Sequence, residues 1–276
     1  MTDFAETLAA IRSLGLRSDV LVLTGEAETE LHPDRIVLRS PSQPDFWWGN
    51  MVMFRSDRVD PEAQQAQFRA DFPQARHVTL AWDVPEMAEE PGHARLAEMG
   101  YEIEQIDALT LDGPPRAHPH PEGIEIRPID TETEWEQVVA LQTAIGVEEG
   151  HVLEGYEPYL LDRFRVRRKQ IAKGWGQWIG AFDGDLLVGD LGVFVASGVA
   201  RYQSVETRAS HRRRGICAAM VLAGVDWVRS IDPEAVPVII ALSDGPAGRV
   251  YRSCGFTRSE TQVVATLPPE GAKRPT

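Results

Sequence analysis

The run SHRRRGICAAM, Ser210 to Met220, sets three consecutive arginines against a glycine and a train of small apolar residues. These are the residue types of an anion site. A strand ending near Thr207 leads into the basic turn and the turn into an apolar helix. The first N–H groups of that helix lack an intrahelical partner and face whatever lies beyond the strand end. Helix N-termini bind phosphate through those groups and the helix dipole; Arg212, Arg213 and Arg214 add charge, and Gly215 leaves the backbone bare for close approach. Two familiar phosphate loops are missing, since the sequence has no GxxxxGK[ST] and no GxGxxG opening the helix.

The pattern Arg-x-x-Gly-x-small, at Arg212, Gly215 and Cys217, resembles the pyrophosphate loop of the GNAT superfamily of acyl-CoA-dependent N-acyltransferases. Downstream, SDGPAGRVYRSCGF is similar to the family's Asn-x-x-Ala-x-x-Leu-Tyr-x-x-x-Gly-Phe segment, with Ala247, Val250, Tyr251, Gly255 and Phe256 in register. Asp244 stands where Asn is usual and Cys217 where Gly or Ala is usual, departures that would weaken cofactor contacts without changing the fold. The resemblance spans Ile124 to Leu267 and implies acetyl-CoA as cofactor. Its diphosphate would sit on Arg212, Arg213, Arg214, Gly215, Ile216, Cys217 and Ala218. Its pantetheine arm would lie along the backbone of Val205 to Thr207, with Asp244 and Ala247 as further contacts. The activity implied is acetyl transfer to a primary amine of a small molecule or peptide, by direct attack in a ternary complex.

Such a reaction needs a neutral amine, donors for a developing oxyanion and a proton for the departing thiolate. Tyr251 matches the family's general-acid tyrosine; the other reading of it is a buried tyrosine closing its helix against the sheet. Glu206, one residue before the strand end, is the candidate base, while Val205 and Thr207 face the other side. Its alternative is a solvated side chain or a salt bridge to the arginines nearby. Cys217 at a helix start invites a nucleophilic reading, but small packing fits better. Glu148, Glu149 and Tyr156, in the acidic and aromatic stretch Gly146 to Tyr159, are candidates to attract and pack an ammonium group; a solvated acidic loop is the plainer reading.

The elements that must carry these residues follow from periodicity and punctuation. Helices are predicted over Thr133 to Ile145 and Tyr156 to Lys173, then two strands around Asp183-Gly184-Asp185 and a third, ARYQSVET, after Ser197-Gly198. An apolar helix from Arg213 to Ser230, the strand VPVIIALS, a short helix near Pro246 to Ser253 and a last strand from Phe256 complete the order ααβββαβαβ. The predicted class is α/β (α+β) with the GNAT fold, a central mixed, mostly antiparallel sheet flanked by helices. LDGPPRAHPHPEG, Leu111 to Gly123, carries four prolines and reads as a linker. Upstream, ARLAEMGYEIEQIDALTL repeats the helix, Gly-aromatic, strand pattern of GRVYRSCGFTRSETQVVATL, which points to a duplication. The expected domains are a degenerate GNAT-like one over 1–112, a linker over 113–123 and a catalytic one over 124–276. FWWGNMVMF in the first half has no basic loop before the helix at Pro61, so that half is expected to bind no CoA. Trp47 and Trp48 would line a pocket or fill its core, with core expected for at least one.

Composition bounds the rest. The 276 residues carry 28 Lys and Arg against 42 Asp and Glu, a formal charge of -14, which disfavours nucleic acid and anionic membranes and favours cationic partners. Two cysteines and scattered histidines give no metal site, and His118 and His120 read as incidental to the linker. With acids in MTDFAETLAA and no long apolar run, a cytoplasmic monomer or homodimer is expected. Two rival functions remain in view: a CoA-binding sensor without turnover, and a nucleic-acid module using the arginine cluster.

Overall fold

A computed structural model describes residues 4–87, 90–150, 153–243 and 245–269. The chain's first half runs α1 (Phe4–Ala10), α2 (Leu14–Leu21), β1 (Glu28–Leu31), β2 (Arg35–Arg39), β3 (Met51–Phe54), α3 (Pro61–Asp71), β4 (Val78–Trp82), α4 (Pro91–Glu98) and β5 (Glu102–Thr110). After an added strand β6 (Ile124–Pro128), the second half repeats that series. It consists of α5 (Glu132–Glu148), α6 (Leu153–Ala172), β7 (Gly176–Asp183), β8 (Leu186–Ala196), β9 (Val199–Thr207), α7 (Ile216–Ile231), β10 (Val236–Leu242), α8 (Pro246–Ser253) and β11 (Thr257–Leu267). Two helices, three strands and then two helix–strand pairs thus occur twice.

The chain groups into two compact units, and the grouping departs from the expected single domain over 124–276. Ile240–Gly248 and the strand from Arg258 onward belong with the unit that holds Leu109 and everything before it; Thr110–Ile239 and Arg249–Thr257 form the second. In the first unit β11 lies between β4 and β5, in the order β1-β2-β3-β4-β11-β5. It pairs antiparallel with β4, Val264 against Ala81 and Leu267 against Val78. The physical reason is burial: Val263 and Ala265 join Val52, Phe68, Leu80 and Trp82 in one apolar cluster. Polar side chains fix the same strand, with Glu260 accepting from the Ser13 hydroxyl at 2.7 Å and the Gly15 N–H at 2.5 Å. Trp47 and Trp48 are both half-buried, Trp47 stacking on His77 with ring centroids 6.2 Å apart, so neither lies fully in the core.

In the second unit the sheet runs β10-β9-β8-β7-β6, antiparallel from β6 to β9 and parallel between β9 and β10. Gln142 of α5 reaches Asp190 on one face of β8, whereas a Cβ at the neighbouring Gly189 would meet Met220 and Ile216 of α7. Successive strand residues point to opposite faces, so α5 and α7 cover opposite sides of the sheet. A capping box starts α5: Thr131 accepts from the Glu134 N–H, and Glu134 reaches back to the Thr131 N–H at 3.0 Å. β6, not expected from the sequence, is an edge strand that ends in Pro128, where a missing N–H costs nothing.

Candidate active site

The site is built at the far end of β9. Gly192 pairs with Gln203 and Asp190 with Glu206, so Leu191 alone faces Ser204 and Val205. This is a β-bulge, and Ser204 within it takes a left-handed φ of 51°. On the other edge the parallel register with β10 runs from Val199–Val236 to Arg201–Val238, short of the bulge. Val205, Glu206 and Thr207 therefore follow a bent segment held by β8, which sets Asp190 beside Glu206 on one face.

Beyond Thr207 the chain turns through Ala209–His211 into the arginines. Arg213 has φ 65° and Gly215 φ 81°, two left-handed residues that swing the backbone into α7. The helix begins at Ile216, later than the expected Arg213, because Gly215 is its N-cap. No side chain caps that end, and the first intrahelical bond runs from the Ala219 N–H to the Gly215 carbonyl at 3.0 Å. The N–H groups of Ile216, Cys217 and Ala218 are left for an external acceptor. A Cβ on Gly215 would meet nothing within 4 Å, so the space over this turn is open.

The arginines are already engaged with neighbours. Arg212 donates to the Thr207 carbonyl at 3.0 Å and pairs with Glu148 at 3.1 Å. Arg214 pairs with Asp183 at 3.5 Å and donates to the Glu122 carbonyl at 3.2 Å. Asp183 also meets His211 at 3.2 Å. Arg213 is exposed.

Both groups expected to do chemistry, and Cys217 beside them, have strongly altered acidity. Burial first, then the like charges of Asp190, Glu149 and Glu148, push the Glu206 carboxyl up to about 8, with Arg212 opposing. Among the described residues no basic side chain forms an ion pair with Glu206, so the salt-bridged alternative does not hold for it. Burial likewise drives the Tyr251 phenol well above its usual range, with Cys217 and Glu206 adding to the effect. The tyrosine is 4% exposed and firmly protonated. Cys217 is pushed up to about 12 by burial, helped by Cys254 and Glu206, which makes it a thiol and not a nucleophile.

The acceptor candidates are placed partly as expected. Glu148 ends α5, which runs three residues past the expected Ile145, and Glu149 caps it, while Tyr156 lies as expected in a helix, α6, that begins three residues earlier at Leu153. The Tyr156 ring packs where a Cβ on Gly146 would be, 2.0 Å from that position, and stacks on Tyr159. Burial pushes its phenol up to about 12. Ala247 is exposed in the first turn of α8, and Asp244 lies outside the described residues. Sequence reasoning missed Asp190, a fully buried carboxyl pushed up to about 7 by burial, against hydrogen bonds from Trp178 and Gln142. Its signal was an acid inside the apolar run LLVGDLGVFV.

The first half has a counterpart to this turn, before α3, and it is closed. Asp60 is the N-cap and accepts from the Ala63 N–H at 3.2 Å, and Pro61 removes one N–H from the same turn. A carboxylate thus holds the place an anion would take.

No protein-family model matches the sequence, and the comparison with curated proteins finds no match either. Solved structures do match. A GCN5-related N-acetyltransferase from Kribbella flavida shares 18% identity and a TM-score of 0.63, over 93% of this chain and 96% of that one. The chain has the GNAT fold. The GNAT fold extends over both halves: a tandem GNAT protein from the clavulanic acid biosynthesis pathway aligns over 98% of this chain and 96% of its own, at 17% identity and a TM-score of 0.56. A functionally unknown protein from Staphylococcus epidermidis aligns at 11% identity and a TM-score of 0.64, over 87% and 94% of the two chains. Among the described residues there is no cluster of three or more His, Cys, Asp or Glu that could hold a metal ion, and no described helix is long and apolar enough to cross a membrane.

Proposed function

We propose that the second unit transfers an acetyl group from acetyl-CoA to a primary amine of a small molecule or peptide. The observation that carries the reading is the junction of β9 and α7. There, uncapped helix N–H groups, a left-handed Gly215 under open space and three arginines stand one short turn from Glu206. The residues fit an anionic cofactor: a diphosphate would be held by the N–H groups of Ile216, Cys217 and Ala218 and by Arg212, Arg213 and Arg214. The backbone of Val205 to Thr207, beyond the bulge, would bind the pantetheine arm. When bound, acetyl-CoA supplies an acyl group activated by its thioester.

The remaining work falls to side chains of the protein. Glu206, whose acidity is weakened by burial and then by its charged neighbours, accepts a proton from the acceptor's ammonium group. Tyr251, held protonated by burial, donates one to the departing sulfur. Glu148, Glu149 and Tyr156 draw the cationic acceptor toward Glu206. The closed turn before α3 supports a first half that holds no CoA. Two free cysteines and the acidic balance favour a cytoplasmic setting and an amine partner over nucleic acid.

The experiment is calorimetry with acetyl-CoA on the full chain, followed by thioester consumption with polyamines, aminoglycosides and peptides. Uptake of one cofactor and turnover with an amine are expected. No uptake refutes the reading; uptake without turnover on any amine leaves a CoA-binding module instead.

A further inference from the structure

Asp190 is an ionisable group in a place where ionisable groups are costly. It sits in the middle of β8 with 0% exposure, and its hydrogen bonds come from neutral donors only: Trp178 Nε1 at 2.8 Å and Gln142 Nε2 at 3.1 and 3.0 Å. No ion pair balances it among the described residues. A buried carboxyl without a cation is normally selected against, because an apolar side chain in its place would be more stable.

The surroundings are built to keep it. Gly192, two residues along the same strand face, has no side chain because the Trp178 ring fills that space, 2.3 Å from where a Cβ would stand. That packing aims the indole N–H at Asp190. Gln142 also donates to the carbonyl of Ser204, the left-handed residue of the bulge, at 3.3 Å. One amide therefore fixes both Asp190 and the bend that delivers Glu206. Asp190 and Glu206 are direct partners across the β8–β9 ladder and share a face.

We propose that Asp190 is a positioning residue for Glu206, a buried second carboxyl whose negative charge makes Glu206 a base strong enough to take a proton from an ammonium group. The use of that base rests on the acyltransferase reading above; the coupling of the two carboxyls does not. The proton balance is simple: R–NH3+ and the Glu206 carboxylate become R–NH2 and the Glu206 carboxylic acid. The other groups that bear on Glu206 are Glu148 and Glu149 at the end of α5, Arg212 in the turn, Tyr156 on α6, Cys217 on α7 and Tyr251 on α8. Asp190 stands first among the charges that hold it protonated.

The test is a carbon-13 NMR titration of glutamate side chains in the cofactor-free full chain, with the Glu206 resonance assigned by its loss in Glu206→Gln. In the unaltered protein its midpoint is expected near 8. Asp190→Asn keeps the shape and an acceptor for Trp178 but removes the charge. It should lower the midpoint by about two pH units, the effect of one like charge about 5–6 Å away at an effective dielectric of about 20. The acid limb of kcat/KM should move down with it. Gln142→Met keeps Asp190 but withdraws its amide donor, which should raise the lower titration step of the pair. A folded Asp190→Asn with an unmoved Glu206 midpoint overturns the proposal and leaves Asp190 as an anchor for Trp178. If Asp190→Asn does not fold, Gln142→Met decides through the Glu206 resonance: a Glu206 titration curve that moves with the displaced Asp190 step supports the coupling, and an unchanged Glu206 curve overturns it. Because the titration needs no acetyl-CoA, a protein that fails to bind the cofactor yet shows the shift refutes the acyltransferase reading alone.

Discussion

Gly215→Ala separates a strained turn from a binding turn. Gly215 sits at φ 81°, where an L side chain costs roughly 1–2 kcal/mol. The less flexible unfolded alanine chain returns about 0.4–1 kcal/mol of that. The net loss is at most about 1.6 kcal/mol, or up to about 6 °C in Tm for a protein of this size. No clash adds to it, since a Cβ there meets no atom within 4 Å. The same open space is where a diphosphate would approach the N–H groups of α7. A methyl group holding an anion off one such N–H loses a charge-assisted hydrogen bond, about 1.5–3 kcal/mol, so acetyl-CoA should bind about 10- to 100-fold more weakly. Gly198 is the matched control. It has φ 73°, nothing within 4 Å of its would-be Cβ, and lies at the opposite end of β9. Thermal melts should show similar losses for Gly215→Ala and Gly198→Ala, while calorimetry should show weakened cofactor only for the first. Equal affinities in the two variants would refute the diphosphate cradle whatever their melting points.

Tyr251→Phe should lower kcat by about 100-fold, the size of a general-acid contribution, while calorimetry finds acetyl-CoA binding within a factor of about two. Glu148→Gln frees Arg212 from a half-exposed ion pair of 3.1 Å; such pairs are worth about 0.2–1 kcal/mol, so cofactor affinity should rise by up to about 5-fold, less at high salt. Stability should also respond to Asp190. Its carboxyl is raised from 3.8 to about 7, so the native state holds a proton that the unfolded chain releases. Stability from this group therefore falls as pH rises between about 4 and about 7, and urea unfolding across that window should show a slope that Asp190→Asn flattens. An identical slope in the variant would show that Asp190 is ionised throughout.

What could be read without coordinates was what local chemistry dictates. The Asp183-Gly184-Asp185 turn, the periodic apolar helix after Gly215 and the strand VPVIIALS are each specified by residues adjacent in the chain, and each appears in the structure. The helix edges moved for local reasons too: Gly215, in a left-handed cap, starts α7 three residues later than hydrophobic spacing implied. β6 escaped notice because five residues ending in proline, beside a proline-rich stretch, carry little strand signal of their own.

The basic turn and Gly215 stood out through residue type and spacing, whereas Tyr251 was singled out by the resemblance to the GNAT pattern and Glu206 by its place at the strand end. Tertiary structure decided the rest, since burial and charge at a site come from segments distant in sequence. Only the fold puts Asp190 across from Glu206, joins Glu148 to Arg212 and fills the space over Gly192 with Trp178. Only the fold sends β11 to pair with β4, because its apolar face finds its core among residues of the first half. The sequence by itself determined a basic, glycine-capped turn on a mixed sheet; the energy of a buried carboxyl, and with it the acidity of Glu206, depends on neighbours that no local pattern names.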